Sequence, residues 1–227
     1  MFNRDTQKFR TFGRAKGKAL TAGQQALMDD VFPKFDVGPD IKAGRNPFAG
    51  LEGPLWLEIG FGAAEHLIWQ AQHNPDVSLL GVEPFLNGIA KATKGINDHA
   101  MTNLRLHRGD ARDVLSLIPD GALDRVFVLF PDPWHKTRHH KRRLLRTEFI
   151  QELHRVIKPG GELRFGSDIL HYVDWAMTRF YRHGGFSWSP TQVSDWRMRG
   201  EDWPETRYLK KALREGRTGH FFTFQRV

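Results

Sequence analysis

In the stretch LFPDPWHKTRHHKRRLL, Leu129–Leu145, one carboxylate sits between two prolines beside a tryptophan, and a run of cations follows. Pro131 and Pro133 lock their own φ angles and push the residues before them toward extended backbone. Asp132 is therefore carried on a stiff strut, and Trp134 offers a face on which a base could stack. Lys136, Arg138, Lys141, Arg142, Arg143 and Arg146 come next, interleaved with His135, His139 and His140, and no acid intervenes until Glu148. A cationic run placed directly after such a strut is read as a phosphate-binding track rather than a merely solvated face. A metal site built on His135 and His139 is disfavoured, because the surrounding cations would repel a divalent ion.

A second group of residues precedes this one. LEIGFGAAE carries Gly60 and Gly62, but Glu65 stands where a dinucleotide-binding turn would place its third glycine. Glu58, just ahead of the turn, would repel a pyrophosphate and attract an ammonium or sulfonium group. S-adenosyl-L-methionine carries both cations and no phosphate, so the turn suits it better than a nicotinamide dinucleotide. Glu83 lies 23 residues after Gly60 in GVEP, where an acid can accept from two ribose hydroxyls. Asp110, in RGDA, is placed for an adenine amino group, although helix capping alone would also explain it. Three acids at three consecutive strand ends together indicate an adenosyl pocket.

The elements that must position these groups follow from the pattern. Short apolar runs (PLWLEIG, VSLLGVEP, NLRLHRGD, LDRVFVLFPDP, ELRFGSD) alternate with segments of helical spacing (AAEHLIWQAQ, Leu86 to about His99, ARDVLSLI, LLRTEFIQELHRVI, YVDWAMTRFYRHG), with KPGG expected as a turn. Such alternation predicts an α/β fold with a doubly wound, mostly parallel sheet, in which the fourth strand lies beside the first. HFFTFQRV at the end alternates around aromatics and is expected as an antiparallel closing strand at or near the sheet edge. Residues 1–22 read as a basic N-terminal arm, with Arg4, Lys8, Arg10, Arg14, Lys16 and Lys18 against Asp5 alone, and residues 23–227 as a single domain.

Bulk composition narrows the classes further. The 34 Lys and Arg exceed the 26 Asp and Glu by enough to give a net charge of +8, which favours a polyanionic partner. The chain has no cysteine, which excludes disulfides, thiolate metal sites and a cysteine nucleophile. No run is long and apolar enough to span a membrane, and the first residues lack the apolar core of a secretory signal, so a cytoplasmic location is expected.

These residues resemble the bacterial tRNA guanine-N7 methyltransferases, which are class I, Rossmann-like enzymes that modify the variable loop. The resemblance runs from RTFGRAKGKAL through LEIGFG, GVEP, GDA, FPDPW, RHHKRRL and GSD to TRYLKKALREG. FPDPW followed by RHHKRRL is its specific part, since the glycine turn is shared by many methyltransferases. The resemblance implies S-adenosyl-L-methionine as cofactor, held around Glu58, Gly60, Gly62, Glu83, Asp110 and Asp132, with Asp132 as the catalytic residue. It implies tRNA as partner, with Lys136, Asp168, Thr206, Arg207, Tyr208 and Leu209 on the substrate. Arg138, His139, His140, Lys141, Arg142 and Arg143 would then lie along the RNA backbone, with no metal involved. Arg207 stands where the family commonly has Lys, Leu209 where it usually has Glu, and Thr137 replaces a frequent basic residue. Two rivals are weaker. Enzymes that methylate exocyclic amines use an Asp/Asn-Pro-Pro-aromatic strand end, and PDPW lacks the adjacent prolines. A non-catalytic RNA-binding module would not need the acids at 58, 83 and 110. Monomer and homodimer are both compatible with the sequence.

Overall fold

The structure is a computed structural model that describes residues 13, 15 and 17–227. Among these, seven strands form one sheet in the order β3-β2-β1-β4-β5-β7-β6. They are β1 (Leu55–Ile59), β2 (Ser78–Val82), β3 (Leu104–His107), β4 (Leu123–Leu129), β5 (Ile157–Ser167), β6 (Phe186–Ser187) and β7 (His220–Arg226). β1 to β5 run parallel, and β7 pairs antiparallel with β5 and β6. The helices are α1 (Ala22–Asp30), α2 (Gly38–Lys42), α3 (Glu65–His73), α4 (Leu86–Asp98), α5 (Ala111–Leu115), α6 (Thr147–Val156), α7 (Leu170–His183), α8 (Ser194–Arg197) and α9 (Arg207–Arg214). The doubly wound, mostly parallel sheet with an antiparallel end is thus present, and β4 does lie beside β1.

Side chains alternate across the strands with period two, so the two faces of the sheet bury different residues. Leu57, Ile59, Leu80, Val82, Val126 and Val128 meet α5, α6 and α7 on one face. Trp56, Leu79 and Phe127 meet α3 and α4 on the other. Helix ends are set by local chemistry. Thr21 and Gln24 close a capping box at the start of α1, and Gly184, at φ 71°, ends α7 in the left-handed region that L side chains avoid.

Two boundaries differ from the sequence reading. KPGG is not a free turn but an excursion within β5: Leu123 pairs with Ile157, the next register pair is Arg125 with Glu162, and the intervening residues loop out. The helix expected from Leu144 starts only at Thr147, because Leu145 is drawn into the core, where its N–H donates to the Tyr172 hydroxyl at 3.3 Å. Most of the expected basic arm lies outside the described residues. Its described end runs over the start of α4: Leu86 N donates to Ala15 O, Gly17 N to Asn87 Oδ1, and Asn87 Nδ2 to Lys18 O.

Candidate active site

With strand order 3-2-1-4-5, the direction of winding reverses between β1 and β4, and ligands bind parallel sheets at the carboxyl ends flanking such a reversal. A cleft of about 780 Å3 opens there, and Glu58, Gly60, Gly62, Glu83, Asp110 and Asp132 all line it. Leu57 and Ile59 face α5–α7, so Glu58 between them must point toward α3. There its Oε2 meets His66 Nδ1 at 2.8 Å, with both side chains buried. His66 Nε2 faces the Gln70 amide nitrogen at 3.1 Å, and that nitrogen also donates to Asp202 O at 2.6 Å. Because an amide NH2 can only donate, Nε2 must accept, which leaves the proton on Nδ1 for Glu58. Asn74 Nδ2 donating to Gln70 Oε1 at 3.2 Å fixes the same amide orientation.

The glycine turn is not a phosphate cradle. Gly62 sits at φ 56°, and its N–H, the donor that would serve an anion, is taken by Glu83 Oε2 at 2.8 Å. Glu83 Oε1 accepts from Phe85 N at 2.9 Å, so two backbone N–H groups clamp this carboxylate. Burial nonetheless pushes the Glu83 carboxyl above its usual range, outweighing the two hydrogen bonds, and the charges of Asp132 and Glu58 add to the rise. A Cβ on Gly88 would meet Gly62 O at 2.3 Å, so only glycine lets α4 close against the turn. Asp110 lines the cleft while capping α5 through Arg112 N at 2.9 Å and pairing with Arg112 Nη1 at 2.7 Å.

The strut that carries Asp132 is held at both ends. Phe130 at φ 49° and Trp134 at φ 46° bracket Pro131–Pro133 in a region that bulky side chains rarely occupy. Phe130 N donates to Gly166 O at 2.7 Å, tying the near end to β5. Arg143 Nε donates to Pro133 O at 2.7 Å, tying the far end. Asp132 faces the open cleft, yet the protein around it pushes its carboxyl above the ordinary range by desolvation. The Arg142 guanidinium lies over the Trp134 ring, 5.0 Å from its centroid.

The far wall of the cleft is the start of α9, where Thr206, Arg207, Tyr208 and Lys211 line it. Thr206 caps the helix by accepting from Leu209 N. Glu65, the residue in place of the third glycine, accepts from both Arg207 N and Arg207 Nε. One carboxylate thus joins the start of α3 to the start of α9. Asp168 is buried beneath this wall, accepting from Arg217 Nε at 2.6 Å and from the Tyr208 hydroxyl at 3.4 Å. Burial and the Asp168 charge push the Tyr208 hydroxyl up to about 12.

The comparisons agree with this geometry. A family profile described as "Putative methyltransferase" matches residues 52–221. A tRNA (guanine-N(7)-)-methyltransferase of Roseobacter denitrificans is 44% identical, over 99% of both chains. One of Agrobacterium fabrum is 40% identical, over 99% of this chain and 97% of its own. The chain belongs to the tRNA (guanine-N7-)-methyltransferase family. Among solved structures, the 16S rRNA methyltransferase KamB superposes with TM-score 0.56 at 15% identity, covering 84% of this chain and 94% of its own. Precorrin-6y C5,15-methyltransferase from Geobacter metallireducens gives 0.53 at 18%, covering 77% and 80%. These establish the fold as that of class I methyltransferases.

Within the family frame, several expected site residues stand apart from the cleft. Arg143 departs from the expected backbone-contacting run: it is 1% exposed, with its guanidinium 5.2 Å from the Tyr172 ring centroid and 4.7 Å from that of Trp175. A side chain so enclosed braces the strut and does not reach a phosphate. Leu209 is buried against Trp203 and Phe221 and so does not face the cleft. Asp168 is enclosed by Arg217 and Tyr208 and does not itself line the cleft. Lys136, Arg138 and Lys141 are exposed and do not line the cleft, and His139 and His140 are half-buried. His66, Gln70 and Arg217 are partners the sequence reading missed. A polar stripe at i, i+4 and i+8 (His66 and Gln70 on α3, Asn74 at its C-cap) was the available signal for the first two.

Proposed function

We propose that this chain transfers a methyl group from S-adenosyl-L-methionine to N7 of a guanosine in the variable loop of tRNA. The observation that carries the reading is the Gly62–Glu83 hydrogen bond. It converts a glycine turn that could bind phosphate into an acid-lined pocket for a cationic, phosphate-free nucleoside. When bound, S-adenosyl-L-methionine supplies an electrophilic methyl group on a sulfonium sulfur.

The acids fit that group by their remaining lone pairs. Glu83, already clamped by two backbone N–H groups, keeps lone pairs for two ribose hydroxyls. Glu58, pinned by His66, presents negative charge toward an ammonium. Asp110 stands at the adenine end.

Guanine N7 carries a free lone pair at neutral pH, so no proton must leave before attack and no general base is required. What the chain must supply is alignment and charge. Asp132, rigid on its strut, accepts from the N1 and N2 edge of the guanine and offsets positive charge developing on the purine. Tyr208 and Thr206 close the opposite wall, and the exposed cations of the ribbon hold the phosphates. The test is to incubate the protein with labelled S-adenosyl-L-methionine and unmodified tRNA and map the product. Label at N7 of one variable-loop guanosine is expected. Label on an exocyclic amine, or none at all, would overturn the assignment.

A further inference from the structure

The cationic ribbon does not end at Arg146 in space. His135, three residues beyond Asp132, places Nδ1 3.2 Å from His171 Nε2, at the start of α7. His140 packs edge-on against Trp175, one turn further along, with centroids 5.2 Å apart. Arg179 lies over the Trp175 ring, its guanidinium carbon 3.1 Å from the ring centroid. At 100° per residue, His171, Trp175, Thr178, Arg179 and Arg182 fall within an arc of about 100° on the helix. This stripe runs for roughly 16 Å from His171 to Arg182 at 1.5 Å per residue.

From the sequence α7 is only a helical segment, yet its outward stripe repeats the composition of the ribbon: cations, a histidine and a tryptophan. Its charge is only partly offset, by the Glu148 carboxylate acting on Arg179 and the Asp174 carboxylate acting on His171. Among the described residues, no carboxylate stands within ion-pair distance of Arg179 or Arg182. On α9, by contrast, Lys210 pairs with Glu205 and Lys211 with Glu215. Burial, and then the like charges of Arg143 and Arg182, hold Arg179 below the usual arginine range. An excess of like charge on one face destabilises the free protein, and a polyanion laid across it removes that repulsion.

We infer that the outward face of α7, from His171 through Trp175 and Arg179 to Arg182, is a second segment of the RNA-binding track, continuous with the ribbon through the His135–His171 contact. It receives backbone phosphates flanking the modified base, with Arg179 held over Trp175 and Arg182 at the far end. This rests on the proposed RNA substrate.

Arg182→Gln and the double variant Arg179→Gln/Arg182→Gln test it. Arg182 is exposed, so the single variant keeps the result readable if loss of Arg179 loosens Trp175. The dissociation constant for unmodified tRNA is measured by fluorescence anisotropy over a range of KCl concentrations. Each lost phosphate contact lowers the log–log salt slope by about 0.7–0.9, so the slope is expected to fall by roughly one such step for the single variant and two for the double. The turnover number at saturating tRNA stays at the wild-type value. Slopes equal to wild type in both variants would remove α7 from the interface. Failure of the proposed function would instead appear in the wild type, as tRNA without N7-methylguanosine, whatever the variants do.

Discussion

Replacing Arg143 separates bracing from phosphate binding, two roles that its place in the sequence would confuse. Arg143→Met keeps an unbranched chain of similar reach and removes the guanidinium. Lost with it are a charge-assisted hydrogen bond to Pro133 O, worth about 1.5–3 kcal/mol, and cation–π contacts to Tyr172 and Trp175, each about 0.5–2 kcal/mol. Set against this is relief from keeping a charge buried, with its Nη2 lacking a hydrogen-bond partner. The difference favours the arginine by roughly 2 kcal/mol. For a domain of this size that lowers Tm by about 4–8 °C. Because the released carbonyl is next to Asp132, the strut loosens, and a displacement near 1 Å can cost on the order of a hundredfold in rate. The expected signature is a lower Tm and a lower kcat, with the salt slope of tRNA binding unchanged. Arg143→Lys restores charge without the planar fork and recovers stability only in part. The reasoning is refuted if Arg143→Met keeps wild-type Tm and kcat while the salt slope drops by one phosphate, for then the guanidinium faces RNA.

Four further outcomes follow from the site. Asp132→Asn keeps shape and removes charge, and kcat at saturating tRNA should fall by about 10²–10³; wild-type turnover would exclude the electrostatic role. Glu83 has its pKa raised in the folded state, so the native protein binds more protons than the unfolded chain between the unfolded and folded pKa values. This term therefore weakens stability as pH rises through that window. The ionised form is the one able to accept from both ribose hydroxyls, so cofactor affinity, followed by calorimetry, should decline on acidification at a higher pH than for an ordinary glutamate. Glu65→Gln breaks a partly exposed pair worth at most about 1 kcal/mol in stability. It frees the start of α9, so KM for tRNA should rise with little change in Tm, and an unchanged KM would show that the link does not position the far wall. His66→Phe leaves Glu58 buried without its donor, at a cost of about 1–3 kcal/mol, and should weaken cofactor binding more than tRNA binding. Equal weakening of both would point to general loosening of the fold.

How much of this was legible beforehand depends on the range of the interaction. The alternation of apolar runs with helical segments determined the parallel sheet, because burial on both faces of a strand and on one face of a helix leaves different periods in the chain. The acids at residues 58, 83, 110 and 132 could be placed at one rim for the same reason, since strand ends in a parallel sheet all open on the same side. Asp132 was recognisable as rigid from its flanking prolines, which act through local sterics alone.

Tertiary structure decided what each charged group spends its charge on. Glu65 and Arg207 are 142 residues apart and meet only because α9 returns to the glycine turn. Arg142 and Arg143 are neighbours of identical chemistry, yet one lies over Trp134 and the other is sealed between Tyr172 and Trp175. Nothing in a run of cations distinguishes them, because burial is a property of the packed surroundings and not of the residue. Sequence alone determined the order of the elements and the chemistry available at their ends. Packing divided that chemistry between groups that face a ligand and groups that hold the others in place, since a buried charge must find its partner within the fold.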